Sequence, residues 1–223
     1  MYIAIEGVIG VGKTSLARLL QPSFNASLLL EVFEENPFLS NFYQDRERYA
    51  FQTQIFFLLS RYHQQHRNVP ELLETGIPLI SDYTFNKDAL FACVNLSGDE
   101  LEMYVRVHEA LAEKIPLPDL VVYLRATTHT LMNRITQRDR PYERAMERNY
   151  IQQLNDSYDA HFLHADTSQD VLVIDTNELD FVHQEEDLQW IDNRIRQKLL
   201  LPPFQPELPI EDNPAPAQLE RKD

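Results

Sequence analysis

The sequence predicts an α/β fold, a three-layer α/β/α arrangement around a five-stranded parallel sheet. Two observations predict it. Five short apolar runs are separated by segments long enough for helical crossovers. Three of the five glycines crowd into the turn between the first run and the first helical segment.

Taken in order, residues 2–6 read as a buried strand, and Ser15 to Leu20 as the start of a helix. Leu28-Leu29-Leu30-Glu31 is the second strand, and Ile77-Pro78-Leu79-Ile80-Ser81 the third. Leu120 to Leu124 and Val171 to Ile174 complete the set. Helix-period segments between them place helices on both faces of the sheet. The last helix is expected from Glu185 to about Leu200. Residues 1–200 form one domain, and no internal repeat is present. Six of the thirteen prolines lie from Pro202 onward among acidic and amide residues, so 201–223 reads as a flexible tail.

Composition narrows the function. The net charge of −15 comes from 35 carboxylates against 20 Lys and Arg. Such a surface repels a polyanion, so no nucleic-acid partner is expected. The apolar runs are too short to cross a membrane, and Met1 stands directly before the first strand, so neither a membrane partner nor a signal peptide is expected. The single cysteine, Cys93, excludes an internal disulfide and fits a cytoplasmic setting. It lies in an apolar helical segment and reads as core. The seven histidines show no metal-ligand spacing.

Gly7-Val8-Ile9-Gly10-Val11-Gly12-Lys13-Thr14 fits G-x-x-x-x-G-K-[ST], the P-loop, and stands where that motif must, between a strand and a helix. Glycines let the loop turn so that backbone N–H groups face phosphate oxygens. The expected phosphate contacts are Gly7, Gly10, Val11, Gly12, Lys13, Thr14 and Ser15. Lys13 would reach the β- and γ-phosphates of a nucleoside triphosphate, and the Thr14 hydroxyl would ligate Mg²⁺.

Two more clusters carry chemistry. Tyr43, Gln54 and Arg61 are spaced by three and two helical turns, so an unbroken helix would put them on one face. Arg134, Arg138 and Arg140 gather positive charge in an acidic chain and suggest an anion site, with Pro141 ending the regular run.

The stretch from Glu31-Val32-Phe33-Glu34-Glu35-Asn36-Pro37-Phe38-Leu39 through Tyr43 and Tyr49-Ala50-Phe51-Gln52-Thr53-Gln54 to Arg61 resembles the deoxyribonucleoside kinases, particularly the bacterial purine enzymes. The resemblance spans roughly residues 1–200. It implies a P-loop kinase fold whose lid covers about 138–146, and a homodimer. The implied reaction moves the γ-phosphoryl of ATP to the 5′-hydroxyl of a deoxynucleoside. Glu31 then accepts the hydroxyl proton, with Glu34 and Glu35 as neighbours that a shift of register would select instead. Gln54 contacts the base, Arg61 sits beside it or pairs with a nearby acid, and Tyr43 and Glu143 hold the sugar 3′-hydroxyl. The lid arginines stabilise the transferring group.

Asp82 stands at the end of the third strand, near the metal, and Asp88 falls near the family's base-contacting acid, one residue off the spacing of animal members. Family members usually carry acid–Arg–Ser/Thr where this chain has Asp82-Tyr83-Thr84, so one cationic contact is missing. That replacement leans toward a deoxyguanosine branch, with Arg61 facing guanine O6 and N7. If Arg61 pairs with an acid instead, guanine loses that advantage over adenine. The rivals are a thymidylate-type nucleoside monophosphate kinase and a non-catalytic nucleotide-binding relative.

Overall fold

The computed structural model describes residues 1–33, 35–164 and 169–204. Five strands form one parallel sheet: β1 (Tyr2–Glu6), β2 (Ser27–Leu29), β3 (Leu79–Ser81), β4 (Leu120–Arg125) and β5 (Val171–Asp175). Their spatial order is β2-β3-β1-β4-β5. The fold expected from the sequence is therefore the one formed.

Strand β1 lies at the centre, with Ile3 beside Ile80 of β3 and Leu120 of β4. Its five residues are all buried, as a strand covered on both faces requires. Among the described residues, eight α-helices flank the sheet: α1 (Lys13–Phe24), α2 (Leu39–Gln44), α3 (Arg46–Glu74), α4 (Asn86–Asn95), α5 (Gly98–Ala112), α6 (Thr128–Arg138), α7 (Arg148–Asp159) and α8 (Glu185–Lys198). Leu16, Leu20, Leu58, Leu131, Ile151, Leu154 and Ile191 join the strands' apolar residues in one core.

Several local expectations change. Strand β2 ends at Leu29, so Glu31 stands two residues beyond the strand rather than closing it. Tyr43 does not share a helix with Gln54 and Arg61, because the chain breaks at Asp45. Asp45 has φ −146° and its side chain accepts from Arg48 N, the geometry of an N-cap that starts α3 afresh. Helix α6 stops at Arg138, three residues before Pro141, because Asp139 takes the left-handed conformation at φ 48°. Arg140 thus leaves the helix carrying Arg134 and Arg138. Cys93, expected in the core, is exposed on α4. Most of the proline-rich tail and Glu34 lie outside the described residues.

Candidate active site

The carboxyl ends of β1, β2 and β3 lie side by side, and the segments leaving them build one cavity of about 270 Å³. Gly10, Gly12, Lys13, Thr14 and Ser15 line its floor. Gly12 has φ 106°, and a Cβ there would meet the Phe181 ring at 2.8 Å. Gly10, at φ 89°, would push a Cβ to 2.7 Å from Ile135. The turn therefore requires glycine at both positions. Helix α1 starts with no side-chain cap and no acidic residue in its first turn. Its leading N–H groups and positive dipole end face the loop, an arrangement suited to phosphate.

Lys13 folds back onto its own loop, donating to the carbonyls of Gly7 at 2.7 Å and Val8 at 3.2 Å. Burial, with the nearby Lys87 ammonium, lowers its pKa to about 8. Thr14 Oγ1 donates to Asp82 Oδ2, and Asp82 Oδ1 accepts from Glu31 N at 2.8 Å. Asp82 thus ties the P-loop to the segment after β2.

Glu31 sits in a cage of cations. Its Oε1 accepts from Arg61, with Nε at 2.9 Å and Nη2 as the second donor. Its Oε2 accepts from Lys87 Nζ. Burial alone would raise the carboxyl, but Arg61 and then Lys87 reverse the sign and hold it far below the usual carboxylate range. Arg61 is pinned from the other side by Asp88, which accepts from Nη1. Arg61 is therefore the acid-paired arginine of the two readings open in the sequence. Its guanidinium lies over Phe57, 4.4 Å from the ring centroid.

Gln54 is buried on the same helix, and its Oε1 has no hydrogen-bond partner among the described residues. Asp88 Oδ2 is likewise unpartnered. Burial raises the Asp88 pKa despite Arg61. Glu35 is exposed, away from the cationic cage.

Over the cavity lies the turn Pro141–Glu143. Tyr142 stacks on Tyr43 at 6.2 Å and meets Phe33 at the same distance. Arg140 covers Phe33, 4.4 Å from its ring centroid. Glu143 is buried, gripped by Arg138 through both carboxylate oxygens at 2.6 and 2.7 Å, with Arg140 at 3.7 Å. Arg138, Arg140, Tyr43 and Glu143 thus meet the P-loop around one cavity.

Arg134 does not join them. It donates to Val11 O, Thr176 O, Thr176 Oγ1 and Leu179 O, stitching the P-loop to the segment after β5.

Two buried polar side chains, Glu6 and Lys87, belong to none of the motifs in the sequence. Glu6 ends β1 fully buried, accepting from Thr84 N at 2.6 Å, Thr84 Oγ1 at 2.8 Å and Gly7 N at 3.2 Å. It fixes the first P-loop glycine to the segment after β3, and the only signal for it is an acid closing an otherwise apolar strand. The other is Lys87, whose signal is weaker still: a lysine four residues after Tyr83, at the start of a helical run.

Residues 3–200 match the family model described as deoxynucleoside kinase. The chain is 35% identical to the deoxyguanosine kinase of Bacillus subtilis (strain 168) over 202 residues, 89% of this chain and 98% of that one. It is 32% identical to the deoxyadenosine kinase of Dictyostelium discoideum, covering 85% of this chain and 77% of the relative. Among solved structures it superposes on the deoxyadenosine kinase from M. mycoides with bound dATP. The TM-score there is 0.77 at 26% identity, over 88% of this chain and 99% of the other. With the family model matched over residues 3–200 and a relative 35% identical over most of both chains, the chain belongs to the deoxynucleoside kinase family.

Proposed function

We propose that this enzyme phosphorylates the 5′-hydroxyl of a purine deoxynucleoside from ATP, with deoxyguanosine preferred over deoxyadenosine, in cytoplasmic deoxynucleotide salvage. The observation that carries the reaction is Glu31, a partly buried carboxylate in the same cavity as the P-loop lysine. In this reading Gly7 to Ser15 hold the ATP phosphates, and Arg138 and Arg140 turn from Glu143 to the transferring group. Glu31 takes the hydroxyl proton, while Tyr43 and Glu143 receive the sugar 3′-hydroxyl. Arg134 supports the loop rather than touching phosphate.

Thr14 and Asp82 would hold Mg²⁺, which when bound offsets phosphate charge. Their oxygens are already hydrogen-bonded to each other. Among the described residues no cluster of three acids, histidines or cysteines could hold a metal. That fits an ion carried largely by phosphates. No helix among the described residues is long and apolar enough to cross a membrane. A homodimer is proposed on the family resemblance alone, and sedimentation of the full chain tests it.

Base choice rests less on Arg61 than its position in the sequence suggests. Three of its five N–H donors already face protein carboxylates. What supports guanine instead is a pair of buried acceptors without donors, Asp88 Oδ2 and Gln54 Oε1. Guanine carries two adjacent donors, N1–H and the exocyclic N2–H₂, whereas the corresponding adenine edge alternates donor and acceptor. An unpaired buried polar group costs about 1–3 kcal/mol, so a base that satisfies both acceptors is favoured.

Competition among deoxyguanosine, deoxyadenosine, deoxycytidine and thymidine for limiting enzyme is expected to give deoxyguanosine 5′-monophosphate first. Asp88→Asn should erode that preference, by about tenfold for one lost hydrogen bond. Preference for either pyrimidine contradicts the purine assignment. Preference for deoxyadenosine contradicts the pairing of guanine with Asp88 and Gln54.

A further inference from the structure

The cations around the cavity differ in how they are held. Arg61 is fixed between two carboxylates, Glu31 and Asp88. Arg138 and Arg140 share Glu143. Lys13 rests on backbone carbonyls. Lys87, in the first turn of α4, is a buried ammonium with one carboxylate partner among the described residues, Glu31 Oε2 at 2.5 Å.

We propose that Lys87 is a catalytic residue, whose ammonium yields Glu31 Oε2 to the incoming 5′-hydroxyl and then bears on the 5′-oxygen and the γ-phosphoryl oxygens.

Three observations lead there. Glu31 Oε1 is occupied by the fork of Arg61, itself locked by Asp88, so Oε2 is the oxygen left to take a proton, and Lys87 stands on it. A lysine can make that exchange, because its charge is a compact point on a flexible four-carbon stem, whereas a guanidinium pinned from both sides cannot. Second, Lys87 and Lys13 line the same cavity. Two neighbouring ammoniums are relieved by a polyanion between them. Third, position 83 supplies no cation. Tyr83 is buried with its hydroxyl donating to Gln64 on α3. Lys87, four residues on in the first turn of α4, brings the positive charge on this side of the cavity.

In the step itself, the 5′-oxygen forms its bond to the γ-phosphorus as the bond from that phosphorus to the β–γ bridging oxygen breaks. The electron pair of the broken bond stays on ADP, and the hydroxyl proton passes to Glu31 Oε2. Lys87 keeps its proton throughout and opposes the negative charge gathering on the oxygens it touches.

This inference rests on reading Glu31 as the proton acceptor, and the two fail differently. Full activity in Glu31→Gln removes that reading. Full activity in Lys87→Met, beside an inactive Glu31→Gln, removes only the role of Lys87. In the full chain, Lys87→Met is expected to lower kcat by about 100-fold, as loss of one preorganised charge does. KM for the nucleoside should stay within about threefold. Lys87→Arg should recover at least about tenfold of the loss, because the charge returns. Thermal melts establish that each variant is folded, and Lys87→Gln takes the place of Lys87→Met if the latter is not. A folded neutral variant with kcat near the parent's, or one altered only in KM, overturns the proposal.

Discussion

Replacing Lys13 with alanine is expected to lower kcat by at least about two orders of magnitude, roughly 3 kcal/mol of lost transition-state stabilisation. Negative charge moves onto the β–γ bridging oxygen as the phosphoryl leaves, and that is where a P-loop lysine acts. Binding of the nucleoside should change little, because the groups proposed for base and sugar lie on α2, α3, α4 and the Pro141–Glu143 turn. The lysine carries a second signature. With its pKa lowered to about 8, the unliganded side chain loses its proton well below the usual range for lysine. The charged form binds phosphate, so kcat/KM for ATP should fall as pH rises above about 8. At saturating ATP the phosphates hold the proton on Lys13, and kcat should persist further into the alkaline range. Steady-state kinetics on both proteins across that interval checks both statements. A Lys13→Ala enzyme of normal kcat would mean that the phosphate site lies elsewhere.

Glu31→Gln is expected to reduce kcat by about 10²–10⁴, the range of a missing general base. The amide keeps the size of the side chain but takes no proton, and it leaves Arg61 and Lys87 without the carboxylate between them. The depressed pKa of Glu31 sharpens what the carboxylate does. In the proposed role, so weak a base would accept the proton late, once the 5′-oxygen is bonding to phosphorus, as a loose transition state allows, and would orient the hydroxyl until then. Isothermal titration should show ATP and deoxynucleoside still binding. If Glu34→Gln is the damaging change and Glu31→Gln is mild, the base belongs three residues further along.

How much of this was legible follows from which forces set each feature. The P-loop depends on local backbone geometry, so glycines at fixed offsets between a strand and a helix announce it in one dimension. The strand order could be anticipated only in class, because parallel pairing joins residues as far apart as Ile3 and Leu120. The break at Asp45 carries a local signal, an N-cap acid before a helical run, which the exact helical spacing of Tyr43, Gln54 and Arg61 masks. Arg134 illustrates the limit. It shares a helix with Arg138, yet its partners are carbonyls at Val11, Thr176 and Leu179, brought near only by the fold. Lys87 and Glu6 were invisible for the same reason: a buried charge is recognised by what neutralises it.

The account is tested most directly by following the phosphoryl group. The full chain is incubated with ATP labelled in the γ-phosphoryl, Mg²⁺, and a panel of deoxynucleosides, ribonucleosides and nucleoside monophosphates, with the products separated by chromatography. The account predicts label in the 5′-monophosphate of deoxyguanosine, one ADP formed for each, and far less label in ribonucleosides or in thymidine. Label appearing only in diphosphates made from monophosphate acceptors, or hydrolysis of ATP with no labelled nucleotide, would contradict it.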